Sequence, residues 1–285
     1  MSEKDSFGIV GGDKRQIALA ESLAGDGYRV YVYGFDLAGE IHGAVPADWK
    51  EGFDPCGTIL LPLPVMASKG FLNAPYSGEK IPLDDSFAEK LRNKTVFGGK
   101  LRPVYATSAI WNAIEARDYS EREEFAVRNA ISTAEGAIQT AMQVYAGTLH
   151  GSSCLVAGFG RIGKALSWML RGLGADVTVS ARKAADLAWI ELYGYRAIRT
   201  EEIRGRYDLV FNTIPALVFP ERVLEWMPSE TILIDLASLP GGVDTKAAEK
   251  LGIRMIRALS LPGRVAPKAA GEIIKETVYN MMEEE

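Results

Sequence analysis

Gly158, Gly160 and Gly163 stand at GxGxxG spacing, directly after the apolar run 153–157 and at the head of an amphipathic stretch, 161–173. In that setting each glycine has its own task. Gly158 permits a tight turn, Gly160 lets the backbone approach a pyrophosphate, and Gly163 allows a helix to pack closely on the strand before it. Arg161 and Ile162, between them, open the helix, whose unpaired N–H groups and positive dipole end attract phosphate. About 20 residues further on, an NAD site usually places a carboxylate on the ribose 2′-hydroxyl. Here the chain reads Ser180-Ala181-Arg182-Lys183. Two cations in place of a carboxylate suit a 2′-phosphate, so the residues favour NADP(H). The alternative is a solvated helix start; cations in a first turn oppose the helix dipole, however, and an anion beside them removes that conflict.

Other polar groups fall at strand ends on the same edge. Asn212-Thr213-Ile214-Pro215 and Leu236-Ala237-Ser238 each close an apolar run. In an open α/β sheet, ligands sit outside the carboxyl ends of the strands, so these segments are expected to face the cofactor. Each also reads as a turn that merely ends a strand.

The elements that must position these residues follow from the hydrophobic pattern. Apolar runs of four to seven residues alternate with amphipathic stretches of ten or more, which predicts a parallel sheet covered by helices. The expected fold is α/β, with two Rossmann-like domains, each a mostly parallel sheet with flanking helices, and a cleft between them. Strands are expected at 7–10, 28–33, 58–63, 95–98, 125–129, 154–157, 177–180, 209–212, 231–236 and 254–258. Helices are expected after the first strand and at 84–92, 110–117, about 132–145 and 268–282. Ser132 and Glu135 have capping-box spacing at the head of the fourth. The connector at 147–152 sets the expected boundary: 1–147 with the returning helix 268–285 as the substrate domain, and 148–267 as the NADP-binding domain.

Composition narrows the classes further. The chain has 285 residues, 47% apolar and 24% charged, with a net charge of -5. No basic face for nucleic acid is visible, and no apolar run is long enough to span a membrane. Residues 1–5 show no secretory leader, so a reducing cytosol is expected. Two separated cysteines, Cys56 and Cys154, and two histidines, His42 and His150, argue against a disulfide framework and against a metal centre.

Taken in order, a set of short motifs resembles the dipicolinate synthase A-subunit family. They are Ile9-Val10-Gly11-Gly12-Asp13 with Arg15-Gln16, Gly34-Phe35-Asp36, Glu135-Gly136, His150-Gly151-Ser152 and Gly160-Arg161. Ala181-Arg182, Asn212-Thr213-Ile214-Pro215, Asp235-Leu236-Ala237-Ser238, Pro240-Gly241-Gly242, Leu261-Pro262-Gly263 and Val265-Ala266-Pro267-Lys268 complete it. The proline-rich stretch 60–82 departs from the family pattern. The resemblance implies kinship with alanine dehydrogenase and the two-domain dehydrogenases. It implies oxidation of dihydrodipicolinate, a small dicarboxylate, with NADP⁺ taking hydride as the ring becomes aromatic. It also implies a partner, the flavoprotein-like B-subunit of dipicolinate synthase, and the mother cell of a sporulating bacterium as the setting, with homo-oligomerisation left open.

A planar dicarboxylate needs cations or helix N-termini on opposite sides of its ring, and guanidinium is the best matched donor. Arg15 and Lys268, in first helical turns, are the candidate cations; both also read as surface charges. Ser132, Thr133 and Ser108 are candidate carboxylate donors, and Ser132 with Glu135 reads equally as a mutual cap. Glu135 and Lys268 are the candidate catalytic groups. Two alternatives stay open: an amino-acid or imino-acid dehydrogenase of the alanine dehydrogenase type, and a non-catalytic NADP(H)-binding subunit.

Overall fold

The computed structural model describes residues 6–49 and 53–284; the expected absence of a leader at 1–5 concerns residues outside that range. In chain order the elements are β1 (Ser6–Val10), α1 (Lys14–Gly25), β2 (Arg29–Tyr33), β3 (Ala44–Pro46), β4 (Thr58–Leu60), β5 (Met66–Ser68), β6 (Phe71–Leu72), α2 (Asp85–Glu89), β7 (Thr95–Gly98) and β8 (Ala116–Asp118). Then come α3 (Glu123–Val144), β9 (Ser153–Ala157), α4 (Arg161–Gly172), β10 (Asp176–Ala181), α5 (Ala184–Leu192), β11 (Arg196–Arg199) and β12 (Leu209–Asn212). The chain ends with α6 (Glu221–Leu224), β13 (Ile232–Asp235), α7 (Thr245–Lys250), β14 (Arg254–Arg257), α8 (Leu261–Val265) and α9 (Pro267–Glu283).

Two compact units result. One comprises residues 1–128 and 266–285, the other 129–265. The first carries a six-stranded sheet in the order β3-β2-β1-β4-β7-β8, the second one in the order β11-β10-β9-β12-β13-β14. Every pairing within these two sheets is parallel. Both orders are the doubly wound arrangement in which the chain starts in the middle, builds one side, then returns for the other. The central strands read as unbroken apolar runs because helices cover both faces; Leu209, Val210 and Phe211 of β12 are all fully buried.

The first unit is closed by α9, which runs parallel to α1. Their approach is close at Gly271, where a Cβ would lie 2.8 Å from the Arg15 carbonyl oxygen and 2.9 Å from the Leu19 nitrogen. Further along, the Lys275 ammonium donates to Ser22 Oγ at 2.6 Å, and the Tyr279 hydroxyl donates to Asp26 at 3.0 Å.

Three local expectations are corrected. Residues 125–129 form no strand: α3 begins at Glu123, with Glu123 and Glu124 in its first turn where carboxylates complement the dipole. Ala130, Ala134, Ala137, Ile138 and Ala141 are buried at helical spacing along it, so the period of 3.6 overrides the short apolar run. From Asn129 onward this helix packs with the second unit, earlier in the chain than the connector at Gly147 suggested. Residues 110–117 are not a helix either; a 3₁₀ turn at Ala109–Ala113 leads into β8, an edge strand paired with β7. Two edge strands escape the pattern, β3 because it is three residues long and ends in Pro46 and β11 because it is half charged, and both are defined by their pairing.

Candidate active site

The helix after β9 has an open N-terminus. Gly160 is its N-cap and no described side chain caps it. A Cβ at Gly163 would collide with the Gly158 carbonyl oxygen, so only glycine lets α4 pack this closely. Gly158 has φ +101°, the left-handed region that favours glycine. Its N–H donates to the Ser180 carbonyl at 3.0 Å, which ties the loop to β10. Gly160 itself has nothing within 4 Å of its Cβ position, which leaves room for a ligand's approach. Arg161 and Ile162 form the first turn of α4, and Arg182 and Lys183 lie exposed just past β10, with Lys183 as the N-cap of α5.

The ends of β12 and β13 are locked together by one buried network. Asn212 Nδ2 donates to Asp235 Oδ1 at 2.7 Å and to the Ile214 carbonyl at 3.1 Å, while the Ile214 N–H donates back to Asn212 Oδ1 at 3.1 Å. Asp235 also accepts the N–H groups of Ala237 and Gly242, each at 3.2 Å. Thr213 donates its hydroxyl to the Ala157 carbonyl at 2.8 Å, immediately before the glycine loop. Thr213, Ile214 and Pro215 are thereby fixed beside Leu236, Ala237 and Ser238 at the carboxyl edge. Asp235, part of one of the motifs, is shown by the structure to hold both loops. The available signal is a carboxylate ending an otherwise apolar strand, Ile232-Leu233-Ile234-Asp235, where an unpaired charge would cost several kcal/mol.

The corresponding turn of the first unit is built differently. Gly11 and Gly12 have φ +67° and +113° and lead to Asp13, which caps α1 in a capping box with Gln16. Asp13 accepts the Arg15 N–H at 3.0 Å and pairs with its guanidinium, Nη2 to Oδ2 at 2.8 Å. Arg15 Nη2 also reaches the Leu63 carbonyl at 2.5 Å, and the residue is only 7% exposed. The cation in this first turn therefore has an internal anion, which answers the dipole conflict that singled it out. Tyr119 is fully buried beside it and donates to the Leu61 carbonyl at 3.1 Å; burial pushes its phenol up, against the pull of the Arg15 charge. Lys268 is exposed in the first turn of α9, with Pro267 ahead of it.

The remaining expected residues separate. Ser132 and Thr133 lie inside α3 rather than at its start, so their N–H groups are spent in the helix, and Thr133 Oγ1 donates to the Asn129 carbonyl at 2.9 Å. The capping box expected at Ser132 and Glu135 is absent for the same reason. Ser108 caps the 3₁₀ turn, accepting the Ile110 N–H at 3.1 Å. Glu135 borders an open groove of about 1230 Å³ with Phe159, Lys164, Trp168 and Tyr193, apart from the loops after β12 and β13. Both cysteines are buried and free, and desolvation pushes each thiol up to about 11.

Comparison with known proteins places these features in a family. Residues 6–119 match the N-terminal domain of the dipicolinate synthase A-subunit, and residues 121–247 match the NAD binding domain of D-isomer specific 2-hydroxyacid dehydrogenases. The A-subunit of dipicolinate synthase from Bacillus subtilis strain 168 is 34% identical over 282 residues, 97% of this chain and 95% of that protein. The crystal structure of its counterpart from Bacillus halodurans superposes with a TM-score of 0.86 at 33% identity, covering 98% of each chain. The Bacillus subtilis crystal structure gives 0.85 at 32% identity, covering 100% of this chain and 97% of that one. An L-alanine dehydrogenase shares the fold, with a TM-score of 0.63 at 15% identity over 97% of this chain and 88% of that one. The second unit is thus a nicotinamide-dinucleotide domain of the dehydrogenase type. Among the described residues no helix is long and apolar enough to cross a membrane.

Proposed function

The chain belongs to the dipicolinate synthase A-subunit family, and from that premise we propose that it oxidises dihydrodipicolinate to dipicolinate with NADP⁺, in concert with a second subunit. The observation that carries this reading is the contrast between two equivalent turns. In the first unit Asp13 closes the N-terminus of α1, whereas in the second Gly160 leaves that of α4 open beside Arg182 and Lys183. A dinucleotide pyrophosphate fits the open end alone.

The residues fit the cofactor. Gly158, Gly160 and Gly163 form a cradle whose open space lies at Gly160, where a Cβ would meet nothing, and the first-turn N–H groups of α4 would hold the pyrophosphate. Arg182 and Lys183 would take the 2′-phosphate, which selects NADP(H). The loops after β12 and β13, held by Asn212 and Asp235, would seat the nicotinamide. When bound, the cofactor supplies a hydride acceptor. The rest of the work falls to orientation, because aromatisation supplies much of the driving force and one modest proton acceptor suffices. Lys268 and the Arg15 end of the first unit would hold the substrate carboxylates.

The test is reduction of NADP⁺ by the purified full-length chain, given freshly made product of dihydrodipicolinate synthase, with NAD⁺ and alanine as controls and the second subunit supplied in a separate arm. Dipicolinate formed together with NADPH supports the reading. Turnover of alanine in its place makes the chain an amino-acid dehydrogenase. NADPH binding without turnover, with or without the partner, makes it a cofactor-binding subunit.

A further inference from the structure

β11 carries no strand signal in the sequence, and it brings a third cation to the cofactor edge. Arg199, its last residue, is the register partner of Ala181 at the end of β10. Neighbouring strands lie about 4.8 Å apart and paired residues share a face of the sheet. Arg199 therefore stands beside the turn that carries Arg182 and Lys183. All three are exposed, and among the described residues none of them has a side-chain hydrogen bond or ion pair. Two arginines elsewhere in this unit are engaged internally: Arg171 donates to the Tyr193 carbonyl and Arg254 to the Val144 carbonyl. What sets Arg182, Lys183 and Arg199 apart is their place, on two adjacent strand ends. Glu201 and Glu202 follow in the next turn and pair with none of the three cations.

Two buried hydroxyls lie next to these strand ends in the chain. The Ser180 hydroxyl, 0% exposed, and the Thr200 hydroxyl, in a residue 6% exposed, have no hydrogen-bond partner. Buried hydroxyls normally find one. Ser180 directly precedes Ala181 and so lies on the opposite face of β10 from the one that Ala181 and Arg199 share; what points to a ligand is therefore the three cations alone.

We propose that Arg199 is a specificity-determining residue for the cofactor, completing with Arg182 and Lys183 a site for the phosphate monoester on the adenosine ribose. This rests on the NADP(H) reading above. A phosphate monoester carries close to two charges at neutral pH and three acceptor oxygens, more than Arg182 alone satisfies with one fork of donors. Arg199 approaches from the neighbouring strand, a rigid element, and so adds selectivity that a flexible surface lysine does not. The competing role is that of a charge on an edge strand, which deters pairing with another sheet and touches no cofactor.

The test titrates the full-length chain with NADPH and with NADH by nicotinamide fluorescence, and with 2′,5′-ADP and 5′-AMP by calorimetry, for the parent, R199A and R199K. The parent is expected to prefer NADPH and 2′,5′-ADP. R199A should weaken both of these about tenfold, the size expected for one charge-assisted contact, and shift NADH and 5′-AMP less than about twofold by the same reasoning. R199K should recover part of the loss, and raising the salt should shrink the preference. A parent that prefers NADPH together with an R199A variant that still does so to the same degree overturns the role of Arg199 and leaves the NADP(H) reading standing. Equal weakening of all four ligands also overturns it, because it marks a structural role. A parent with no preference removes the NADP(H) reading and this inference with it.

Discussion

Asn212 donates its side-chain amide to Asp235 across 2.7 Å, and both residues are fully buried at adjacent strand ends. Through this one bond the loop after β12 and the loop after β13 share a single geometry. A Cβ at Gly242 would run into the Asn212 amide, so the return of the second loop is matched to the same side chain.

D235A removes one acceptor from three buried donors, those of Asn212, Ala237 and Gly242. Each orphaned group costs about 1–3 kcal/mol, so the variant should unfold at a lower temperature and bind NADPH weakly. D235N keeps an amide oxygen that still accepts from Asn212 and Ala237 but loses the second carboxylate oxygen that Gly242 uses, so its melting temperature and NADPH affinity should fall between those of the parent and D235A. Calorimetric melts and a fluorescence titration of the three proteins decide; a D235N variant as damaged as D235A would show that the charge, and not the shared acceptor, holds the loops.

Gly160 and Gly163 separate binding from folding. At Gly163 a Cβ meets backbone, the Gly158 carbonyl oxygen, whereas at Gly160 it meets nothing within 4 Å. G163A should therefore lower the melting temperature, since overpacking costs about 1–3 kcal/mol, and lose cofactor binding as well. G160A should melt like the parent while binding NADPH at least about tenfold more weakly, because its methyl group would occupy the pyrophosphate's path. Calorimetric melts and titrations of both variants check this, and a G160A protein that binds normally refutes the assigned path.

The α1 and α9 pair gives a stability prediction with a pH signature. Asp26 is held below the ordinary carboxylate range by the bond from Lys275, opposed by burial and aided by Tyr279. Burial lowers the Lys275 ammonium, and its bonds to Asp26 and Glu272 outweigh that, so it ends above its usual value. A depressed acid contributes stability above its unfolded value, 3.8 for Asp26, that is lost as pH falls through the folded one. A raised base contributes below its unfolded value, 10.5 for Lys275, and loses that contribution as pH rises through the folded one. K275M should thus cost about 0.5–1 kcal/mol near neutral pH, discounted because Asp26 is partly in solvent. Urea melts should show the gap between K275M and the parent narrowing toward about pH 3. A gap independent of pH would assign the effect to packing.

What can be read without the structure depends on how much local signal each element carries. The glycine loop, the apolar strands 154–157 and 209–212 and the helix after Pro267 combine pattern with punctuation, and they stand where expected. α3 reads as two pieces because Phe125-Ala126-Val127 resembles a strand over five residues and a helix only over twenty. β11 escapes detection because Arg196-Ala197-Ile198-Arg199 is half charged and is held by pairing along one edge. The roles of Asp235 and Arg199 stay hidden for a related reason. Each depends on a neighbour more than 15 residues away in the chain, Asn212 in one case and Ala181 in the other.

Arg15 and Lys268 are the cations expected to hold opposite carboxylates of one small ring, and the packing of α1 on α9 bears on that idea. Lys275 meets Ser22 and Tyr279 meets Asp26, both at an offset of 253 residues, so the parallel helices set Lys268 level with Arg15. The two cations differ in what they do at rest. Arg15 is buried against Asp13 and the Leu63 carbonyl, while Lys268 is exposed and has no ion pair among the described residues. K268M should therefore leave the melting temperature within about 1–2 °C of the parent, as for surface substitutions generally. It should raise the KM for dihydrodipicolinate about tenfold, one lost charge contact of about 1.4 kcal/mol. R15A should do both, unfolding earlier because Asp13 loses its partner and binding substrate less well because the end of α1 loses its charge. On the proposed reading NADPH is held by the other unit, so its affinity should not move in either variant. Steady-state kinetics with both substrates separate the cases. If R15A shifts only the melting temperature and K268M shifts nothing, neither cation touches the substrate, and its carboxylates must be held elsewhere.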